Sequence, residues 1–209
     1  MNSPVPKQFM LLGGKPLLMH SMMAFAEAFP DMVMVLALPE GRFDEWKDLC
    51  SEHAFTLPHT LSPGGATRFH SVRNALERIP GEGLVAVHDG ARPLITAGLV
   101  RKVFAAAEQL GNCVPAIPFT ESVRQVSGEK TVPADRTCLR VIQTPQVFHL
   151  PALKKAYEQE YDECFTDDAT VIERTGATIH LAVGDPSNIK ITRPSDLAVA
   201  EALFRQGQI

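Results

Sequence analysis

The sequence lacks the features of a membrane protein, a secreted protein and a nucleic-acid binder. No apolar run approaches the ~20 residues that a helix needs to cross a bilayer. The N-terminus has no basic segment followed by an apolar stretch, the pattern of a secretory signal. Positive charge is in deficit, since 20 Lys and Arg face 24 Asp and Glu, whereas nucleic-acid binding requires clustered cations. We therefore expect a cytoplasmic protein with no membrane contact, no nucleic-acid partner and small anionic ligands.

Cysteine is also scarce. The four cysteines, Cys50, Cys113, Cys138 and Cys164, include no CxxC pair. This spacing does not indicate a zinc knuckle, and a chain of 209 residues does not need a disulfide scaffold. We expect four reduced and mostly buried thiols.

The sequence does contain enough apolar material for one core. With 45% hydrophobic and 21% charged residues, it predicts a single globular domain over residues 1–209. Apolar runs at 32–38, 84–87 and 113–117 predict strands, and stretches of helical period at 42–53 and 96–110 predict helices. This alternation predicts an α/β fold, with a mainly parallel sheet and helices on both faces. Ligands of such folds bind beyond the carboxyl ends of the strands.

Residues 118–142 interrupt this rhythm. The segment carries charges, Gly128 and Pro133 without a sustained helical period, so we predict a protruding β-rich arm. Helical character returns in the last third. There Thr166 is predicted to cap a helix, and Pro194 is predicted in the first turn of the closing helix.

Two polar groups precede predicted helices. Lys7, fixed by the preceding proline, could place a point charge on a triphosphate, although a lone lysine is more often solvated. Gly64 and Gly65 precede a helix predicted to run to about residue 79. Glycines allow close backbone approach and a helix N-terminus binds anionic or carbonyl groups, although two glycines also fit a simple connection.

A third group, around Asp89 and Arg92, follows a predicted buried strand. Such an acid can accept hydrogen bonds from sugar hydroxyls, and the arginine can orient it or bind a phosphate. The alternative is a turn held by an internal Asp–Arg pair. His88 in the same turn is predicted to be a structural histidine, and Trp46 on an amphipathic helix is assigned to packing.

Four further groups could each be a cap or a turn. They are DR at 135–136, QTPQ at 143–146, TDD at 166–168 and NIKIT at 188–192. With the first three groups, they supply several cations and hydroxyls to one weakly acidic protein, each beside a predicted strand end or loop. This combination favours a shared site over unrelated turns.

Taken in order, the motifs PKQ, GGxxRxxSV, HDGARP, DR, QTPQ, TDDAT and SNIKITRPSDL resemble one family. It is the 2-C-methyl-D-erythritol 4-phosphate cytidylyltransferases of the non-mevalonate isoprenoid pathway. The resemblance implies a Rossmann-like fold and an arm exchanged with a second subunit in a homodimer. It also implies a Mg²⁺-dependent reaction of CTP with methylerythritol phosphate that releases pyrophosphate. The magnesium would be held mainly by the CTP phosphates, so no protein metal ligand is assigned.

The resemblance also assigns roles to residues at the nucleotide. Lys7 matches the family lysine that neutralises the CTP phosphates. Gly64, Gly65 and Ser71 match the segment that holds the cytosine.

Other assignments concern the polyol phosphate. Asp89 and Arg92 match a pair near the ribose and the polyol hydroxyls, and Thr144 matches a nearby hydroxyl. On the arm, Ser122 stands where the family usually has threonine. Arg136 and Lys190 match cations that grip the polyol phosphate. Lys7, Arg136 and Lys190 would be catalytic through position and charge, because a phosphate dianion needs no general base.

One departure from the family concerns the start of the sequence. Family members begin with a buried strand and a glycine-rich loop of the AAGxGxRM type, and this sequence starts at what resembles the final methionine of that motif. We therefore expect that Met1 to Pro4 is not a natural domain edge and that the first strand and loop are absent. Such a chain should bind CTP weakly and turn over little, because neighbouring strands would be left unpaired.

Two alternatives remain open. The nearer one is a cytidylyltransferase for another polyol phosphate, such as ribitol 5-phosphate. The more distant one is a non-catalytic dimeric module that keeps the arm and the C-terminal helix.

Overall fold

The computed structural model describes residues 6–207, so the expectation about Met1 to Pro4 concerns residues outside the described range. The helices are α1 (Leu17–Ala28), α2 (Phe43–Glu52), α3 (Arg68–Leu76), α4 (Ala97–Leu110), α5 (Leu150–Ala156), α6 (Asp168–Glu173) and α7 (Pro194–Arg205). The strands are β1 (Leu11–Leu12), β2 (Lys15–Pro16), β3 (Val35–Leu38), β4 (Thr60–Pro63), β5 (Leu84–Val87), β6 (Asn112–Pro118), β7 (Val123–Ser127), β8 (Lys130–Ala134), β9 (Arg140–Ile142), β10 (Gln146–His149) and β11 (Leu181–Val183).

The central sheet is mixed, and the prediction of a mainly parallel sheet is wrong. Strand β10 lies between β5 and β6 and is antiparallel to both. Strand β11 is parallel to β6, and β9 is antiparallel to it. Strands β3 and β4 form a separate parallel pair. The predicted crossover through α4 exists, but the four residues of β10 are too short a run to predict a strand between β5 and β6.

Helices cover both faces of the central sheet, as the sequence predicted. Val85 and Phe148, which are opposite each other on β5 and β10, pack with α3, α5 and α6. Their neighbours Ala86 and Val147 point to the other face and pack with α1 and α4. This alternation is the two-residue period of a strand, and it buries apolar side chains on both sides.

A third apolar cluster joins α1 and α2 to the β3–β4 pair. Its centre is Trp46, which is 1% exposed and stacks on Phe9 with ring centroids 5.8 Å apart. The indole N–H donates to Nε2 of His59 at 2.9 Å. The assignment of Trp46 to packing is confirmed.

The predicted arm region contains an antiparallel hairpin of β7 and β8, turning at Gly128 with φ of 58°. Glycine adopts this left-handed conformation without strain. The hairpin side chains are largely exposed, including Val126 at 67% and Val132 at 55%. Strand β9 then leads the chain back to β6.

Several local predictions can be checked directly. Pro194 opens α7 as predicted, but the cap of α6 is Asp167 and not Thr166, because the Asp167 carboxylate accepts the N–H of Thr170 at 2.9 Å.

All four cysteines are free, but Cys138 and Cys164 are exposed, so the prediction of mostly buried thiols is wrong. Cys138 ends a short 3₁₀ helix (Arg136–Cys138) on the arm, and Cys164 lies in a turn between α5 and α6, so both are outside the core. Within residues 6–207, no helix combines the length and apolar character needed to cross a membrane.

Candidate functional site

Two cavities mark the site region. One, of about 450 Å³, lies where β3 and β4 end and is lined by Ala37, Leu38, Pro39, Glu40, Pro63, Gly64, Gly65 and Ser71. The other, of about 350 Å³, is lined by Ile189, Lys190, Thr192, Arg193, Asp196 and Val199. Both include residues of motifs that the sequence singled out.

The glycine loop is fixed to its surroundings through its backbone. Gly64 N–H donates to the Leu38 carbonyl at 2.8 Å, and Gly65 N–H donates to Oγ of Ser71 at 2.9 Å. A Cβ on Gly65 would collide with His70 on the first turn of α3. Glycine is therefore required here for close approach, and the Ser71 hydroxyl holds the loop in shape.

Asp89, just beyond the end of β5, is the centre of a cationic cluster. Its Oδ2 lies 2.8 Å from Nζ of Lys190 and 3.7 Å from Nε of Arg92, and its Oδ1 lies 3.5 Å from Nε of Arg68. Burial opposes ionisation of this carboxyl, but the Lys190 hydrogen bond and the charges of Arg68 and Lys190 outweigh it. The pKa of Asp89 is therefore lowered.

Thr144 holds the backbone of Asp89 in place, and His88 in turn holds the Thr144 hydroxyl. The Asp89 N–H donates to Oγ1 of Thr144 at 3.0 Å, and this hydroxyl lies 3.1 Å from Nδ1 of His88. Nε2 of His88 faces the Arg92 carbonyl at 3.2 Å, so Nε2 carries the proton and Nδ1 accepts from Thr144. Burial lowers the pKa of His88 to about 4. His88 is thus a neutral structural histidine, as predicted, and the buried Thr144 hydroxyl is engaged within the protein.

Arg92 points into the protein. Its guanidinium donates to the carbonyls of Asn188 at 2.8 Å and Ile142 at 3.3 Å, and the residue is 8% exposed. Burial lowers its pKa, which is opposed by Asp89. Arg92 therefore joins the turn of Asp89 to the base of the arm and to the loop of Lys190.

The structure brings some predicted residues together and leaves others apart. Lys7 donates to the Thr192 carbonyl at 3.0 Å, two residues beyond Lys190, so the loops of these two cations are adjacent. Arg136 and Ser122 are exposed on the arm, and Arg136 donates to the Thr120 carbonyl at 2.6 Å. Among residues 6–207, neither arm residue forms a hydrogen bond or ion pair with the Asp89 cluster.

Sequence reasoning assigned no role to the glutamines of QTPQ. Gln143 donates to the Asp185 carbonyl at 2.7 Å and accepts the Asp185 N–H at 3.1 Å, which fixes the loop before Lys190. Gln146 accepts the N–H of Ala169 and donates to the Asp167 carboxylate, both at 2.8 Å. With Thr144 beneath Asp89, this one motif holds three segments of the site. The QTPQ motif was the signal in the sequence that could have identified these glutamines. Their partners are distant in sequence, so the contacts themselves could not be predicted.

A mixed sheet covered on both faces, a glycine loop before a helix N-terminus, and a lysine with two arginines around one carboxylate define a class of protein. A helix N-terminus and cations at strand ends suit a nucleoside triphosphate, and a carboxylate beside them suits the hydroxyls of an acceptor. The class is that of the α/β nucleotidyltransferases.

Comparisons with known proteins narrow this class to one family. The family model for 2-C-methyl-D-erythritol 4-phosphate cytidylyltransferase matches residues 1–206. The enzyme of that name from Bacteroides thetaiotaomicron is 44% identical over 204 residues, covering 98% of this chain and 93% of that protein. The Bacillus mycoides enzyme is 34% identical over 201 residues, covering 95% of this chain and 89% of that protein. The crystal structure of the Thermus thermophilus enzyme superposes with a TM-score of 0.79 at 35% identity, covering 96% of this chain and 94% of that one. The chain belongs to this family.

Proposed function

We propose that the glycine-loop cavity and the Asp89 cluster hold the two substrates of the family reaction. That reaction transfers CMP from CTP to 2-C-methyl-D-erythritol 4-phosphate in isoprenoid biosynthesis. The observation that carries the assignment is the 2.8 Å contact of Lys190 with Asp89, made next to the loop of Lys7. Lys7 and Lys190, which can bind phosphates, therefore lie near Asp89, which can accept hydrogen bonds from hydroxyls.

The nucleotide is assigned to the cavity of Gly64, Gly65 and Ser71. Its volume of about 450 Å³ and its backbone-lined wall suit a flat base that is recognised through polar edges. Lys7 lies beside the loop of Lys190, where it donates to the Thr192 carbonyl, and is proposed to bind the triphosphate from there. The hydrogen bonds of Gly64 with Leu38 and of Gly65 with Ser71 support this assignment, because they fix this wall of the cavity before any ligand binds.

The polyol phosphate is assigned to the Asp89 side. Asp89 is 14% exposed and stays ionised, so its carboxylate can accept hydrogen bonds from the polyol hydroxyls. Lys190 is 45% exposed and can exchange Asp89 for a phosphate oxygen. Arg92 and Thr144, proposed from the family as substrate contacts, support this region by holding the Asp89 turn.

The chemistry is a displacement at phosphorus. An oxygen of the acceptor phosphate bonds to the α-phosphorus of CTP, the bond from that phosphorus to the β-phosphate oxygen breaks, and pyrophosphate leaves. Two anions must meet, so the barrier is dominated by repulsion and alignment. Lys7, Lys190 and Arg136 are proposed to reduce it by charge and position, without a general base.

Magnesium is proposed to enter with the CTP phosphates, where it would add further neutralising charge. Asp89 is surrounded by three cationic side chains, which makes it a poor ligand for a second cation. Within residues 6–207, no group of three or more His, Cys, Asp or Glu side chains is arranged to hold a metal.

The arm is proposed to complete the site of a second subunit in a Rossmann-like homodimer. Ser122 and Arg136 are exposed on it, and Val126 and Val132 present apolar surface beside them. Exposed valines on a hairpin favour association with another surface.

A pyrophosphate-release assay with CTP, Mg²⁺ and either methylerythritol phosphate or ribitol 5-phosphate tests the proposal. We expect methylerythritol phosphate to have the higher kcat/KM. A preference for ribitol phosphate would favour the nearer alternative. Absence of saturable CTP binding in calorimetry would favour a non-catalytic module.

A further inference from the structure

Arg68 links the glycine loop to the Asp89 cluster. It is the first residue of α3, directly after the loop and its cap Thr67. Its two terminal nitrogens donate to the two oxygens of Asp168 at 3.0 and 2.6 Å. Its Nε lies 3.5 Å from Oδ1 of Asp89. One side chain thus contacts two carboxylates that are 79 positions apart in the numbering of this sequence.

The carboxylate that holds Arg68 is itself fixed. Asp168 has no exposed surface and accepts the Tyr157 hydroxyl at 2.6 Å. Burial, reinforced by the Asp168 charge, raises the pKa of Tyr157, so the phenol remains a donor. Burial opposes the charge of Arg68, but Asp168 and Asp89 outweigh it and raise its pKa. A planar guanidinium held by two parallel bonds has a fixed direction for its Nε–H.

We propose that Arg68 is a positioning residue that sets the Asp89 carboxylate relative to the glycine loop. The two oxygens of Asp89 have different neighbours. Oδ2 faces Lys190 and Arg92, whereas Oδ1 faces Arg68. Without the Arg68 contact, the Asp89 carboxylate is free to rotate. Its oxygens are then misaligned for accepting a hydrogen bond from a polyol hydroxyl. This inference rests on the proposed function of Asp89.

The test is a double-mutant cycle. Arg68→Lys keeps the positive charge but cannot pair with Asp168 at two points and reach Asp89 as well. We expect a loss of about tenfold or more in kcat/KM for methylerythritol phosphate, with the KM for CTP changed by less than about twofold. In an Asp89→Asn background, the same substitution should change kcat/KM by less than about twofold, because the group it positions is gone.

A matched control is available in another Arg–Asp pair. Arg174 contacts Asp162 at 3.1 Å on the surface, and Arg174→Lys should leave both substrates' kinetics unchanged. Thermal unfolding confirms that each variant is folded. If Arg68→Lys does not fold, Tyr157→Phe takes its place in the cycle, since it loosens Asp168 and keeps the ring that stacks on Phe69 at 4.7 Å.

The outcomes separate this inference from the proposed function. An equal loss in both backgrounds, or a loss confined to the KM for CTP, would show that Arg68 acts as a structural pair or on the nucleotide. Either result overturns the positioning role. An unsubstituted protein that transfers no CMP would instead refute the proposed function, and the positioning role would fall with it.

Discussion

The buried floor beneath Asp89 and the exposed arm represent opposite ways of placing functional residues. In the floor, Arg92, Thr144 and Asp168 are each less than 9% exposed and hydrogen-bonded across long sequence separations. In the arm, Arg124 and Arg136 are exposed and bond to nearby residues of the same segment. One chain therefore completes the floor by itself, whereas its arm residues are positioned by local contacts.

The physical reason is the difference in desolvation. A buried charge must be paired and hydrogen-bonded, so several partners determine the position of each floor residue. An exposed charge is solvated in many positions, and its ion pairs are weak. Residues of the arm can thus adapt to a partner surface, which the floor cannot do.

The sharpest contrast in stability is expected at Asp168. Asp168→Ala leaves Arg68 without its bidentate partner and should lower the free energy of unfolding by about 3 kcal/mol. Urea denaturation measures the change. Asp135→Ala on the arm is the matched variant and should leave the unfolding midpoint nearly unchanged, since Asp135 is exposed. Similar losses in the free energy of unfolding of both variants would contradict the difference between floor and arm.

Mixing two impaired variants tests whether the Asp89 cluster and the arm meet between subunits. Lys190→Ala and Arg136→Ala should each reduce kcat/KM for the polyol phosphate by about 100-fold, because each removes a cation that is proposed to contact the transferring phosphates. In a mixed dimer with exchanged arms, one site carries both changes and the other carries neither. Subunits mixed in equal amounts and re-equilibrated should then recover about a quarter of the original activity. Recovery that does not exceed the mean of the two variants would argue against exchange.

The floor should also have a distinct pH dependence. His88 has its folded pKa lowered to about 4 from 6.5, so the unfolded chain binds the extra proton between these values. The contribution of neutral His88 is complete above pH 6.5 and is lost as the pH falls toward 4. We expect up to about 2 kcal/mol of lost stability over this window, after allowing for solvent screening.

Urea denaturation at several pH values measures this effect, and His88→Asn should reduce the dependence, leaving the part due to His20, whose pKa is also lowered by burial. The arm contains no histidine between residues 118 and 142, so no imidazole of the arm contributes in this window. An unchanged slope in the variant would place the titrating group elsewhere.

The smallest effect is expected on the arm surface. Val126→Thr should change the free energy of unfolding by less than about 0.5 kcal/mol, because Val126 is 67% exposed. Val147→Thr, at a fully buried position of strand β10, should lose about 2 kcal/mol, because the new hydroxyl would be buried among apolar side chains. Denaturation of the two variants under one condition measures the difference. Equal effects would mean that the arm is buried in solution, most simply against a second subunit.

Features set by local sequence were predictable. The strand at 84–87 and the helix after Thr96 were found where expected, because a continuous apolar run and a helix cap are local signals. The cap of α6 was misplaced by one residue, since Thr166 and Asp167 are both good capping residues and the packed geometry selects between them. Strand β10 was missed because its pairing with β5 and β6 is a long-range property.

The sequence by itself determined the family and the residue types of the site, because motifs preserve chemistry in their order and spacing. The tertiary structure decided which polar groups face a ligand and which face each other. Asp89 and Lys190 remain accessible, whereas Arg92 and Thr144 are engaged inside the protein, and Arg68 links the glycine loop to the Asp89 cluster. A guanidinium or a hydroxyl has the same chemistry whether it faces a ligand or another group of the protein. Which of these it meets depends on where the folded chain places the other buried polar groups, which also need hydrogen-bond partners.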